Sequence, residues 1–219
     1  MGYSIAIDGP AGAGKSTIAK LIAKERGCIY VDTGAMYRAM AVYFLRQSIS
    51  PEDEEAITGA CDDIEVVIKY EDNVQQVYLN GENVTSILRT EEVGRMASAS
   101  SVYPAVRAKL LDLQRKLARE YDVVMDGRDI GTHVLPDADV KIYMTASVEE
   151  RAERRYRELM EKGDTSADYE KIKADIAERD YRDMNREIAP LKQAKDANYL
   201  DTSDMSIDEV VKAIVAFCK

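Results

Sequence analysis

The 219-residue chain carries 40 acidic against 30 basic residues and one histidine, for a formal net charge of −10. Nonspecific affinity for polyanions comes from clustered cations, so this balance excludes a general binder of nucleic acid or of anionic membranes. An anionic ligand must therefore be held by a local basic site. The length suits one α/β domain with an insertion, or a core plus a small second lobe, over 1–219, able to bury a sizeable core. Cys28, Cys61 and Cys218 are odd in number and widely spaced, which predicts free thiols in a reducing compartment and not a disulfide frame or zinc site. No signal-peptide pattern opens the chain and no apolar run approaches ~18 residues, so a cytoplasmic protein with no membrane partner is expected.

Residues 5–17, IAIDGPAGAGKST, read as a buried strand, a glycine-rich turn and a helix start with GxxxxGK[ST] spacing. Successive backbone N–H groups can wrap a phosphate only where no side chain blocks the approach and glycine permits positive φ. Gly9, Pro10, Ala11, Gly12, Ala13, Gly14, Lys15, Ser16 and Thr17 are thus the candidate nucleotide-binding loop. Lys15 would reach the β and γ phosphates, and Ser16 would offer its hydroxyl to Mg²⁺.

The following helix repeats Ile18, Leu21 and Ile22 on an apolar side and ends at Gly27. A second strand over 28–31 leads into Asp32-Thr33-Gly34 and a helix over 35–45, placing Thr33, Tyr37 and Arg38 where open α/β sheets hold ligands. From residue 64 the pattern alternates, with a turn at 71–73 and an Asn80-Gly81 turn. That predicts a small antiparallel meander inserted into the βα alternation. Residues 91–120 are helical, started afresh at Pro104, and contain Arg95, Ser98 and Arg107.

The apolar run 121–125 predicts a central parallel strand that delivers Asp126-Gly127-Arg128-Asp129 at its carboxyl end. Asp126 there suits a Walker B role, holding Mg²⁺ with Ser16. Further strands are expected at 140–144 and 198–200, and a closing helix at 207–217. The charged stretch between them predicts two helices, over 149–162 and 169–187. Arg151, Arg154 and Arg155 share a face of the first, and Arg179, Arg182 and Arg186 a face of the second. On composition these are solvated, ion-paired helices; beside a nucleotide site they become an arginine-bearing lid over about 150–187. Simpler roles also stand open: Arg128 and Asp129 pairing with each other, Arg38 capping its loop, Tyr37 in the core, Ser98 in helix packing, and His133 as a plain loop or core residue.

The chain lacks the NKxD motif of a GTPase switch and the length of a motor. Its motifs resemble the bacterial-type cytidylate kinase family through nearly the whole length: IDGPAGAGKST, DTGAMYR, DGRDIGTHVLPDADVKIYMTAS, ERDYRDMNREIAPL and DTSDMS. DGRDIGT together with RDxxDxNRxxAPL is highly specific, whereas the P-loop alone is not. The resemblance implies a P-loop NTPase fold with a five-stranded parallel sheet, helices on both faces, a small antiparallel β insertion and a helical lid. The acceptor-binding insertion would span about 36–105. It further implies transfer of the γ-phosphate of ATP to CMP or dCMP with Mg²⁺, by a protein expected to be monomeric. Ser98, Arg107 and Asp129 would read cytosine; Arg38, Arg128 and Arg186 the acceptor phosphate; Arg179 and Asp183 the sugar; Thr33 and Tyr37 would line the site. Lys15, Arg128, Arg186 and Arg155 would carry the catalysis. The alternatives are a kinase for another small acceptor, such as UMP or a nonnucleotide, and a P-loop regulator that is not a kinase.

Overall fold

A computed structural model describes residues 2–72 and 74–218. In chain order, β1 (Ser4–Asp8) leads through the glycine loop into α1 (Lys15–Arg26), and β2 (Ile29–Asp32) into α2 (Thr33–Arg46). The helix α3 (Glu54–Ala60) precedes the hairpin strands β3 (Val66–Glu71), β4 (Val74–Leu79) and β5 (Glu82–Asn83). Next come α4 (Glu91–Ser100), α5 (Pro104–Glu120), β6 (Val123–Gly127) and a π-type turn at Ile130–Val134. The chain continues with β7 (Val140–Thr145), α6 (Val148–Glu161), α7 (Tyr169–Asn185), β8 (Asn198–Asp201) and α8 (Ile207–Phe217). The main sheet is five-stranded and parallel, as expected. Among the described residues no helix is long and apolar enough to cross a membrane.

The chain divides into two compact units. One comprises Met1–Gly2 and Ile29–Val123 and holds β2, the fifth strand of the main sheet, with the three-stranded antiparallel sheet β3-β4-β5. Its core gathers Met36, Met40, Phe44, Ile57, Ile64, Val77, Leu79 and Leu110. The meander forms as the alternation requires. Leu79 pairs with Glu82 across Asn80 and Gly81, both at positive φ (47° and 85°), the geometry of a two-residue turn whose twist matches the strands. The first turn is described as far as Asp72; Asn73 lies outside the described residues.

The other unit comprises Tyr3–Cys28 and Val124–Lys219. Its strands run side by side in the order β6-β1-β7-β8. The register sets Ile5 opposite Val140 and Asp8 opposite Tyr143, then Ile142 opposite Asn198 and Thr145 opposite Asp201. Asp8, Gly127 and Thr145 thus end their strands at one carboxyl edge, the edge that open α/β sheets use for ligands. Ile5, Ile7, Val124, Met125 and Ile142 are buried in the sheet, with Ile18, Ile22 and Ile214 from the covering helices.

The apolar face expected of α1 and the shared arginine face expected of α7 both differ in the structure. Leu21 is 39% exposed while Ile18 and Ile22 are buried, because an i+3 neighbour lies at the border of a narrow apolar stripe. Arg179, Arg182 and Arg186 do not share a helical face. Arg182 turns outward to Glu178, and Arg186 is the extended residue that ends α7 (ψ 144°), ahead of Pro190. The helix expected to run to 187 therefore stops at Asn185.

Candidate active site

In the second unit the loop after β1 owes its path to three glycines at positive φ, Gly9 (152°), Gly12 (74°) and Gly14 (84°). At Gly9 a Cβ would fall 1.8 Å from the Met144 carbonyl oxygen, so no other residue fits that approach. Gly14 is the N-cap of α1, and no side chain among the described residues caps that end. The first-turn N–H groups and the positive end of the helix dipole are thereby left to an anion. Lys15 is buried, and its Nζ donates to the Pro10 carbonyl at 2.7 Å inside the loop. Burial pushes its pKa well down, and Arg128 and Arg179 push the same way against Asp126 and Asp8. A bound phosphate would reverse that balance by supplying the missing negative charge.

Ser16 Oγ donates to Asp126 Oδ2 at 2.9 Å, joining the loop serine to the carboxylate near the end of β6. The two oxygens are hard donors of the kind Mg²⁺ selects, and Mg²⁺ is commonly held by one or two carboxylates plus substrate phosphates. This pair fits the expected ion.

Arg128 and Asp129 each meet a residue of α7 or of its end. Arg128 Nε lies 2.8 Å from Asp183 Oδ2 on α7. Asp129 Oδ1 lies 3.1 Å from Arg186 Nη2, with both side chains buried. Burial works to raise the Asp183 carboxyl, but Arg128, Arg179 and Arg186 outweigh it and hold the group below the ordinary carboxylate range. The RDxxDxNR segment thus contributes a partner for each of two consecutive residues in DGRD.

The three arginines expected on one face of α6 meet different partners. Arg151 is buried on α6, donates to Ala11 O at 3.0 Å and to Ala146 O at 2.9 Å, and pairs with Asp180 at 2.6 Å. Arg155, one turn further on, is half-exposed and pairs with Glu158 at 2.8 Å. Arg154 is tied to Glu150 and to the Thr202 carbonyl. The spacing pointed to all three arginines alike; burial and partners distinguish them. His133 sits exposed in the π-type turn.

In the first unit, Asp32 caps α2 by accepting from Ala35 N at 2.9 Å, and so sets the start of the helix that carries Thr33, Tyr37 and Arg38. Thr33 is buried, while Tyr37 and Arg38 are half-buried. Arg38 Nη1 lies 3.9 Å from Asp32 Oδ1, and Arg89 makes the tighter pair with Oδ2 at 2.8 Å. Gln75 of β4 clamps the Asp32 backbone on both sides, accepting from its N–H at 2.9 Å and donating to its carbonyl at 3.2 Å. The inserted meander is therefore fastened next to Thr33, a tie with no local sequence signal. Arg107 is buried on α5, with its guanidinium 5.9 Å from the Tyr37 ring centre and Nη1 at 3.4 Å from Ser101 O. Ser98 is half-buried on α4, and its carbonyl accepts from Ser101 Oγ. Arg95 lies on the exposed face in an i, i+4 pair with Glu91.

Residues 5–219 match the profile of the family described as Cytidylate kinase. A cytidylate kinase of Exiguobacterium sp. strain AT1b is 53% identical over 210 residues, covering 96% of this chain and 93% of the relative. One from Bacillus cytotoxicus is 50% identical over 213 residues, covering 97% and 94%. Among solved structures, an uncharacterized protein from Eubacterium ventriosum superposes with a TM-score of 0.54 at 12% identity, over 98% of this chain and 97% of that one. At that identity the likeness shows the fold alone.

Proposed function

The chain belongs to the cytidylate kinase family, and on that premise we propose that it transfers the γ-phosphoryl group of ATP to CMP or dCMP, giving ADP with CDP or dCDP. The observation that carries the reading is the double engagement of DGRD: Arg128 held by Asp183 and Asp129 by Arg186, in the unit whose P-loop would take the donor. A nucleotide cradle alone needs neither pair.

The donor phosphates rest on the loop from Gly9 to Thr17, with Pro10, Ala11, Gly12, Ala13 and Gly14 offering backbone N–H groups except at the proline. Mg²⁺, held through Ser16 and Asp126, would supply charge neutralisation on the phosphate oxygens. An oxygen of the CMP phosphate attacks the γ-phosphorus in line while the bond to the β–γ bridging oxygen breaks and ADP leaves. No covalent enzyme intermediate is needed, because positioning and charge stabilisation dominate such a transfer. Lys15, Arg128, Arg186 and Arg155 meet the spreading negative charge. Arg38, Arg128 and Arg186 hold the acceptor phosphate, Arg179 and Asp183 the sugar, and Thr33 and Tyr37 line the site.

Ser98, Arg107 and Asp129 read the base. Cytosine presents a donor at N4 beside acceptors at N3 and O2, which suits a carboxylate for the first and an arginine for the others. Uracil reverses the pattern at N3 and position 4 and would leave buried polar groups unpaired. We further propose one kinase domain over 1–219 with an acceptor-binding insertion at about 36–105 and a lid at about 150–187, acting as a monomer in the cytoplasm.

A coupled assay of ADP release with CMP, dCMP, UMP, AMP or no acceptor tests this reading. CMP and dCMP should stimulate release strongly over the rest. Equal release with and without CMP would overturn the kinase reading, and preference for UMP would overturn the base assignment.

A further inference from the structure

Asp8 is the last residue of β1 and is bonded directly to Gly9 of the P-loop. Its carboxylate is buried, at 4% exposure for the residue, and both oxygens are spent on consecutive backbone donors. Oδ1 accepts from Ile130 N and Oδ2 from Gly131 N, each at 2.7 Å. Those two residues open the π-type turn that follows Arg128 and Asp129. A single side chain thus joins the start of the phosphate loop to the peptide immediately after the acceptor arm.

The approach is close by construction. A Cβ at residue 131 would stand 3.2 Å from Cδ of the flexible Lys141 side chain and in ordinary contact, 3.4 Å, with Asp8 Oδ2, so the short N–H bond is set by the backbone path of the turn. Two convergent N–H donors need two acceptors on one group, and among side chains of this length only a carboxylate offers them. A buried carboxylate is costly to retain. Burial pushes Asp8 up to about 6, the two N–H bonds draw it down, Asp129 raises it and Lys15 lowers it. Tyr143, opposite in the register, and Lys141, beside Gly131, also lie near it.

We propose that Asp8 is a positioning residue for phosphoryl transfer, a two-pronged strut that sets the spacing between the P-loop and the Arg128-Asp129 arm. The proposal rests on the site reading above. In-line transfer is sensitive to displacements of about 1 Å between donor and acceptor, and such an error can cost as much as 10²-fold. Asp8 touches no substrate in this scheme. It acts through the peptide of Ile130 and Gly131.

The test is steady-state kinetics of Asp8→Asn against wild type, with KM for CMP and for ATP measured separately and the melting temperature recorded. Asparagine keeps the shape but sets an N–H₂ against one of the two N–H donors. The expected result is a fall of roughly 10–100-fold in kcat/KM for CMP, with KM for ATP changed by less than about 2-fold because the glycines and the Lys15–Pro10 bond hold the P-loop independently. The parallel variant Asp8→Glu keeps two carboxylate acceptors on an arm one methylene longer; it should show the same split, and it decides the matter if Asp8→Asn does not fold. Unchanged kcat/KM for CMP, or a KM for ATP raised as much as KM for CMP together with a lowered melting temperature, would overturn the strut. If wild type itself shows no CMP-stimulated ADP release, the site reading fails and the strut falls with it.

Discussion

Replacing Arg151 by methionine removes one partner of a buried ion pair. The Arg151 and Asp180 side chains are 4% and 9% exposed, and their N–O distance is 2.6 Å. Asp180 Oδ1 makes no hydrogen bond to any described group, so little remains to hold the carboxylate once the guanidinium is gone. Breaking such a pair from one side costs about 3–5 kcal/mol, mostly the penalty of an uncompensated buried charge. For a chain of this size each kcal/mol lowers Tm by about 2–4 °C, so a fall of roughly 6–20 °C is expected. Removing both charges should cost far less, because well-packed apolar replacements of a buried pair are often neutral. Urea unfolding of Arg151→Met, Asp180→Leu and the double variant closes the cycle, and the double variant should lie within about 2 kcal/mol of wild type. A double variant as unstable as Arg151→Met, or a single-variant loss under about 1 kcal/mol, would refute the argument. Arg151→Met should also raise KM for ATP, since Arg151 donates to Ala11 O in the P-loop.

Lys15→Ala should lower kcat by roughly 10²–10³-fold, the scale of one lost electrostatic contact to a transition state, while circular dichroism stays native; turnover near wild type would remove Lys15 from the chemistry. Asp129→Ala should reduce kcat/KM for CMP by roughly 10–100-fold through an unpaired base donor and a loosened Arg186, with ATP binding measured by calorimetry little changed; equal CMP and UMP kinetics before and after would dismiss it as a base reader. Stability should also carry the signature of Asp8. Its folded-state value, about 6, stands above the ordinary 3.8, so protonation favours the fold: the contribution is fully present below about 3.8 and is lost as pH rises through about 6. The shift corresponds to roughly 3 kcal/mol. Asp8→Asn should therefore gain stability relative to wild type between pH 4 and pH 7 in urea titrations, and a pH-independent difference would contradict the assignment.

Much of this protein is legible locally because the physics is local. The glycines of the phosphate loop announce positive φ whatever surrounds them, Asn80-Gly81 dictates its turn, and Pro104 starts α5 where its ring requires. Apolar runs placed the parallel strands to within about two residues, the usual uncertainty of strand ends. The short helix α3 carries no periodic signal in the sequence, since seven residues scarcely establish a period.

What tertiary structure alone decided is which charge meets which. Spacing put Arg151, Arg154 and Arg155 on a common footing, yet one is buried against a P-loop carbonyl and another faces Glu158. Adjacency suggests that Arg128 answers Asp129, but each is met by α7 or its end, 55 and 57 residues away along the chain. Nothing local marks Asp8 as a bridge; the fold brings the amides of Ile130 and Gly131 to it across more than 120 residues. Backbone preferences belong to a residue and its neighbours, so the sequence by itself determined the loop, the strands and the kinase motifs. The partner of a charge depends on which remote segments a packed chain brings within a few ångströms, and only the closed structure contains that information.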